Sequence, residues 1–307
     1  MRYALISDIH GNLPALEAVI RDAKNKQIDK YVFLGDYFLS VPYPNEVASV
    51  LRNFEHAFIV SGNEERHIEN LEKQDSSTWK KGQFSALHWS YKNLSSENKN
   101  FLKTLPVKTT IKDPFSSIFA FHSAAEYFKG TILTDLKSST FALATKSLSE
   151  NEFIASFKNR LNCDENFNSV LSKLPDGIYV YGHNHIQTSF KFGKKLLINP
   201  GSCGMPLDYP GFAPYTIVET GENKIDVQEL RIEYDIKSTI DNYKKSDLYK
   251  NARVWSEIII KELTTGREYV KFFLDFVHEY ANKTNDPIRP YSFKTWEEAY
   301  ELWSKQI

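Results

Sequence analysis

The stretch Tyr3-Ala4-Leu5-Ile6-Ser7-Asp8-Ile9-His10-Gly11-Asn12 decides how this chain is read. A short apolar run gives way to two polar residues at i and i+2, at the point where a strand would end. Open α/β sheets gather their chemistry outside the carboxyl ends of their strands. An extended backbone at Asp8-Ile9-His10 would turn both polar side chains to one face, where they could clasp one cation. Four more fragments follow in the same placement. Gly35-Asp36 comes after Tyr31 to Leu34 and Gly62-Asn63 after Ala57 to Val60. His122 comes after Ser117 to Phe121, and Gly182-His183-Asn184-His185 after Ile178 to Tyr181.

Composition bounds the rest. With 307 residues, 41% of them hydrophobic, the chain can bury a large core and hold a second, smaller unit. Its 38 basic and 39 acidic residues leave a net charge of -1, so there is no whole-chain attraction to nucleic acid or to a membrane surface. Cys163 and Cys203 are too few for a disulfide framework. The apolar start is cut off by Ser7-Asp8 after a few residues, too short for a signal peptide or a membrane span. The expectation is a cytoplasmic protein.

Along the chain, the opening reads β-α-β, with a helix from about Leu13 that carries Pro14 in its first turn. A second helix starts near Pro44, and Ala57 to Val60 is the third strand. Residues 64 to 105 read as helices beside the sheet, with Ser95 or Ser96 as an N-cap. Strands return at Val107 to Ile111 and Ser117 to Phe121. The Ser, Thr and Lys-rich segment from Ala125 to Asn166 is placed at the surface near the site entrance. Later strands are predicted at Ile178 to Tyr181, Thr188 to Phe192, Leu196 to Ile198, Tyr215 to Glu219 and Ile225 to Ile232, a hairpin-like pattern suited to a second facing sheet. After Tyr234 the pattern is helical, which divides the chain into residues 1–234 and a helical accessory unit, 235–307, that could cap the site, pack on the sheet or form a homo-oligomer.

The chemistry of the five fragments is consistent. A hydrolytic cation of borderline hardness takes carboxylate oxygen and imidazole nitrogen, with positions left open for water and substrate. Asp8, His10, Asp36, His183 and His185 supply both donor types, and Asp36 can bridge two ions with its two oxygens. Taken singly, each fragment is an ordinary turn or a surface histidine. Five in order, each at a strand end, are not.

These residues resemble the calcineurin-like metallophosphoesterases, whose pattern D-x-H, G-D, G-N, H, G-H-x-H is matched by Asp8-Ile9-His10, Gly35-Asp36, Gly62-Asn63-Glu64-Glu65, His122 and Gly182-His183-Asn184-His185. Pro44-Asn45-Glu46-Val47 and Asn199-Pro200-Gly201-Ser202 look like the bacterial small phosphodiesterase branch of that family. The resemblance covers about residues 1 to 235. It implies an α/β fold, a four-layer α/β/β/α sandwich of two mixed sheets. It also implies one ion held by Asp8, His10, Asp36 and His185, and another by Asp36, Asn63, His122 and His183. A hydroxide shared by the two ions would attack phosphorus in line. The ions would be manganese or iron first, divalent or trivalent, with zinc and nickel also admitted by the ligand types.

One departure narrows the chemistry. Many members carry His after the Asn of the third motif, where it is thought to protonate the leaving oxygen, whereas this chain has Glu64. Losing such help costs about 10²–10⁴-fold on a poor leaving group. Glu64 itself, or His67 one helical turn later, is the candidate for a leaving-group or supporting role. His56, His88 and His278 read as surface or packing residues. Tyr37, Phe38, Tyr43 and Tyr209 adjoin the motif loops, where rim packing competes with stacking on a base. Lys129, Lys137, Lys146, Lys158 and Arg160 make one segment locally basic.

The expected function is a dimetal phosphoesterase acting on small phosphodiesters or nucleotide phosphoanhydrides, with dinucleoside polyphosphates such as diadenosine tetraphosphate as a concrete example. A Ser/Thr protein phosphatase is the alternative within the same resemblance. A non-catalytic scaffold with this fold is the alternative from another class.

Overall fold

The computed structural model describes residues 1–73, 75, 79, 81–135, 147–222 and 224–307. Its strands are β1 (Arg2–Ile6), β2 (Lys30–Phe33), β3 (Ala57–Ile59), β4 (Lys108–Ile111), β5 (Ile118–Phe121), β6 (Gly177–Val180), β7 (Gln187–Phe192), β8 (Lys195–Pro200), β9 (Phe212–Thr220) and β10 (Ile225–Glu233). They form two mixed five-stranded sheets, β10-β9-β1-β2-β3 and β4-β5-β6-β8-β7.

Strand periodicity makes the layers. In β1, Tyr3 and Leu5 point into the core between the sheets, where they meet Ile118 and Ala120 of β5 and Ile178 and Val180 of β6. Ala4 and Ile6, on the opposite face, pack with Ala15, Leu16 and Val19 of the helix Leu13–Asn25. Both faces of β1 are therefore covered, which is why its sequence is a continuous apolar run. Asn12 accepts a hydrogen bond from the Ala15 N–H at 3.3 Å and caps that helix. Ser95 does the same for Ser96–Lys103 through Asn98.

The expected four-layer α/β/β/α sandwich is the observed fold, with two differences from the sequence reading. β9 pairs antiparallel with β1, in the register Tyr3↔Val218. The β9–β10 hairpin thus extends the first sheet rather than building the second. The segment from Ala125 to Asn166 is not at the site entrance in its described parts. It supplies helices Ala125–Phe128 and Glu150–Cys163, which bury Phe128, Phe153, Phe157 and Leu161 against the outer face of the second sheet. Its polar surface residues hid an aromatic core stripe. Of the locally basic set, Lys137 and Lys146 lie outside the described residues.

After β10 the chain is helical, with Ile236–Lys245, Asp247–Asn251, Arg253–Thr265, Val270–Lys283 and Phe293–Trp303. Tyr243, Ile259 and Leu263 pack against Val41, Ala86 and Met205. The Tyr243 hydroxyl donates to the Ser40 carbonyl at 2.5 Å. These helices are thereby tied to the loop that follows Asp36. Val254, Ile258, Phe273, Val277 and Trp296 form a small core of their own. No helix among the described residues is long and apolar enough to cross a membrane.

Candidate metal centre

The polar residues predicted as ligands converge from both sheets into two adjoining clusters. Asp8, His10 and His185 form one, and Asp36, His122 and His183 the other. In the first, His185 Nε2 lies 3.3 Å from Asp8 Oδ1 and 3.0 Å from His10 Nε2. In the second, His122 Nε2 lies 3.2 Å from Asp36 Oδ2, 3.1 Å from Asn63 Oδ1 and 2.9 Å from His183 Nδ1. Asp36 also groups with His10, so its carboxylate stands between the clusters. The clusters hold six of the residues expected as ligands, with Asn63 beside the second, and Asp8, Asp36 and His122 are almost fully buried.

The backbone achieves this in a way the sequence reading did not foresee. Asp8 and His10 are not extended. β1 ends at Ile6, and Asp8 and His10 have φ of 51° and 53°, while Asp36, His183 and His185 have 55°, 78° and 61°. Left-handed backbone costs a non-glycine residue of order 1–3 kcal/mol and persists only where its surroundings enforce it. Here a ladder between loops does so. The Asp8 N–H donates to Gly35 O at 3.0 Å, His10 N to Asp36 O at 3.0 Å and Gly204 N to Asp8 O at 3.0 Å.

Each imidazole of the first cluster is held from behind. His10 Nδ1 donates to Glu64 Oε1 at 2.8 Å and His185 Nδ1 to Met205 O at 2.8 Å. Their Nε2 atoms face each other at 3.0 Å, a spacing at which both could reach one cation. In the second cluster His122 Nδ1 donates to Leu34 O at 2.7 Å. Asp8 Oδ1 is buried with no hydrogen-bond partner, although buried carboxylates are ordinarily satisfied. Donor chemistry, facing imidazole nitrogens and an orphaned oxygen all fit metal ions. Burial opposes ionisation of Asp8, but His185 and His122 outweigh it and hold the carboxyl well below the usual carboxylate range. Asp36 is held low in the same way, chiefly by His122 against the cost of burial. Against its own burial, Asp36 raises His122 to about 9.

Glu64 takes part in this support. Its second oxygen accepts from Phe38 N at 3.2 Å and Leu39 N at 2.9 Å. With the first oxygen on His10, the carboxyl is committed. Glu65 follows Glu64 in the third motif, where sequence alone assigns it no role. Its carboxylate accepts from Asp36 N, Tyr37 N and Gly62 N at 3.0, 2.9 and 2.7 Å, pinning the Asp36 turn. Burial, with Asp36 and Glu64 nearby, raises Glu65 to about 8. Asn199 and Ser202 belong to the same support. Asn199 Nδ2 donates to Gly182 O and Asn184 Oδ1, and Ser202 Oγ donates to Asp8 O.

Gly182 stands where no side chain fits. A Cβ there would lie 1.9 Å from Ser7 Oγ and 2.5 Å from Asp8 Oδ2. Gly182→Ala is therefore expected to lower the melting temperature through about 1–3 kcal/mol of overpacking. It should also lower manganese stoichiometry, both readable from thermal melts and metal analysis. A variant that melts and binds metal as the parent does would contradict this packing.

A cavity of about 460 Å³ opens on the clusters, and Glu64, His67 and the C-terminal residues Trp255, Ile259, Val270 and Leu274 share its lining with His10, Asp36, Asn63, His183 and His185. His67 is exposed. Among the described residues, it is the one imidazole outside the clusters that faces this space. Tyr37 and Phe38 are fully buried, and the Tyr37 hydroxyl donates to Val60 O at 2.6 Å, so neither can stack a base. Tyr43 packs with the C-terminal helices, and exposed Tyr209 lies under Arg231. Neither Tyr43 nor Tyr209 is among the residues lining the cavity. His88 packs on Trp79 and His278 on the Tyr291 hydroxyl, as packing or surface residues would.

A sandwich of two mixed sheets that brings paired Asp/His clusters together at strand ends is the architecture of dimetal phosphoesterases. Residues 1–223 match the model of the calcineurin-like phosphoesterase superfamily domain, and the chain belongs to that superfamily. An uncharacterized protein of Methanocaldococcus jannaschii is 31% identical over 260 residues, covering 80% of this chain and 93% of the relative. A metallophosphoesterase from Sphaerobacter thermophilus has the same fold, with TM-score 0.60, 22% identity, and coverage of 87% of this chain and 99% of that one. A hypothetical protein from Pyrococcus horikoshii is similar to the same extent, with TM-score 0.57, 21% identity, and 87% and 99% coverage. That share exceeds residues 1–234, so the likeness in fold reaches into the C-terminal helices.

Proposed function

We propose that this protein is a metal-dependent phosphoesterase that hydrolyses phosphodiesters or nucleotide phosphoanhydrides. The observation that carries the reading is the pair of clusters joined at Asp36, each built from carboxylate and imidazole donors. Asp8, His10, Asp36 and His185 would hold one ion, and Asp36, Asn63, His122 and His183 the other, with manganese and iron as first candidates. Two such ions, when bound, supply charge neutralisation at the phosphoryl oxygens and a water acidic enough to act as nucleophile near neutral pH.

The residues of the chain do the positioning. Glu64, Met205 O and Leu34 O fix ring orientation in His10, His185 and His122, as outer partners of metal-binding histidines do. Glu64 has both oxygens engaged in hydrogen bonds, and proton delivery, where it is needed, falls to His67. A site with so little acid assistance favours esters whose leaving group departs unaided. We also read residues 235–307 as a cap over a phosphoesterase unit of residues 1–234, since Trp255, Ile259 and Leu274 wall the cavity.

A substrate panel with the manganese-loaded protein tests this. The expected order places a bis-aryl phosphate about 10²-fold above a phosphoserine peptide in kcat/KM. An aryl monoester that outruns the diester, or a phosphopeptide that rivals it, would overturn the assignment in favour of a phosphomonoesterase.

A further inference from the structure

The C-terminal wall of the cavity has its own chemistry, and it narrows the substrate class within the phosphoesterase reading on which this inference rests. Two kinds of residue face the clusters from that side. Trp255, Ile259, Val270 and Leu274 are apolar, and Leu39 and Phe84 continue the apolar surface from the other side. Among them stand Glu262 and Glu268.

These two carboxyls form a pair. Glu262 is 3% exposed. Its Oε1 accepts from Tyr269 N at 2.6 Å and Val270 N at 2.8 Å, closing the turn between helices Arg253–Thr265 and Val270–Lys283. Its side chain also hydrogen-bonds that of Glu268. Burial first, and then the charge of Glu268, push Glu262 well above the usual carboxylate range. Glu268 Oε1 accepts from Lys271 N at 2.7 Å. The lysine on the same wall is turned to Asp275, whose two oxygens accept from Lys271 Nζ at 2.5 and 2.7 Å. Outside the ligand clusters and Glu64 behind them, the acidic and lysine side chains lining the cavity, among the described residues, are Glu262, which burial holds towards its protonated form, Glu268, and Lys271, whose ammonium pairs with Asp275.

A polyphosphate would have to bring its additional negative charge against that wall. A cavity of this volume is about 10 Å across, roughly one Debye length, so a wall charge acts on whatever fills it. Like charges brought together at a binding surface are a strong source of rejection. We propose that the cavity is built for a phosphodiester with a single phosphate and an apolar, neutral or cationic alcohol, and that Glu268, positioned by Glu262, is the specificity residue that rejects anionic leaving groups, dinucleoside polyphosphates included.

Three phosphonates of nearly equal shape test it by calorimetry on the manganese-saturated full-length protein: phenylphosphonate, 4-carboxyphenylphosphonate and 4-(aminomethyl)phenylphosphonate. In the parent protein the carboxylate is expected to weaken binding about tenfold relative to phenylphosphonate, with the aminomethyl compound binding at least as well as phenyl. Glu268→Gln keeps an acceptor for Lys271 N, so it should fold, and it should reduce the carboxylate penalty to about twofold or less. Leu274→Ser, at a partly buried position of the same wall, should weaken phenylphosphonate about tenfold. A carboxylate that binds as well as phenyl in the parent, or a penalty untouched by Glu268→Gln, would overturn the proposal. So would failure of all three to bind. If the expected order is found but no phosphodiester is hydrolysed, the specificity wall stands and the enzymatic reading fails.

Discussion

Asp36→Asn is expected to lower kcat on a bis-aryl phosphate by about 10³-fold or more, because the carboxylate that joins the two clusters contributes several kcal/mol through the ions it aligns. The substitution is nearly isosteric. Asn keeps an oxygen to accept from Glu64 N, which Asp36 Oδ1 now does at 2.9 Å, so the fold should survive while the charge is lost. Metal analysis should show fewer than two manganese ions per chain, and the thermal melt of the metal-free protein should shift little. A variant that keeps two ions and parental turnover would remove Asp36 from its bridging role and would strengthen the scaffold alternative. Loss of activity with both ions retained would mean that the carboxylate acts on substrate rather than on metal.

The second prediction concerns Glu64, where family resemblance and structure point in different directions. If the position after Asn63 simply lacked a proton donor, Glu64→His would restore one and raise hydrolysis of alkyl monoesters. The structure predicts the opposite. Glu64 holds His10 Nδ1 at 2.8 Å and takes two backbone N–H groups from Phe38 and Leu39. Replacing it removes the partner of a ligand histidine, which typically costs 10–100-fold in metal affinity or activity. It also strands buried donors, at about 1–3 kcal/mol for each unsatisfied group. Glu64→His and Glu64→Ala are both expected to weaken manganese binding 10–100-fold and to lower the melting temperature. Glu64→Gln should lie between them and the parent. A manganese titration followed by diester and alkyl monoester assays on each variant separates the cases. An alkyl monoesterase gain in Glu64→His with metal affinity intact would return Glu64 to the leaving-group side.

Much of the centre was legible because ligand chemistry is local. Asp8, Asp36, His122 and His183 each follow a buried run, and the change from apolar to polar marks a strand end without reference to the rest of the molecule. Conformation at those ends was not legible. An i, i+2 pair in a strand and an i, i+2 pair in left-handed backbone can both aim two side chains one way. Only the ladder from the Asp8 loop to Gly35 and Gly204 selects the second. Glu65 was passed over for a similar reason: an acidic residue at a helix start is common, and nothing local says that its carboxylate reaches Asp36, Tyr37 and Gly62. The segment around Phe153 and Phe157 was misplaced because two aromatics four residues apart stand out little among Ser, Asn and Lys. The face they bury belongs to a sheet whose strands lie elsewhere in the chain.

By itself, the order of residues determined which donors exist, that they end strands, and that apolar runs of period two would stack into a layered α/β core. Burial of apolar side chains on alternating faces is a short-range consequence of strand geometry, and it can be read a few residues at a time. Tertiary structure alone decided that Glu64 faces His10, that β9 pairs with β1 in the first sheet, and that Glu262 and Glu268 line the same cavity as His10, Asp36 and His183. Those relations join residues tens to hundreds of positions apart. They are set by which surfaces pack together, and no local pattern in the chain encodes that choice.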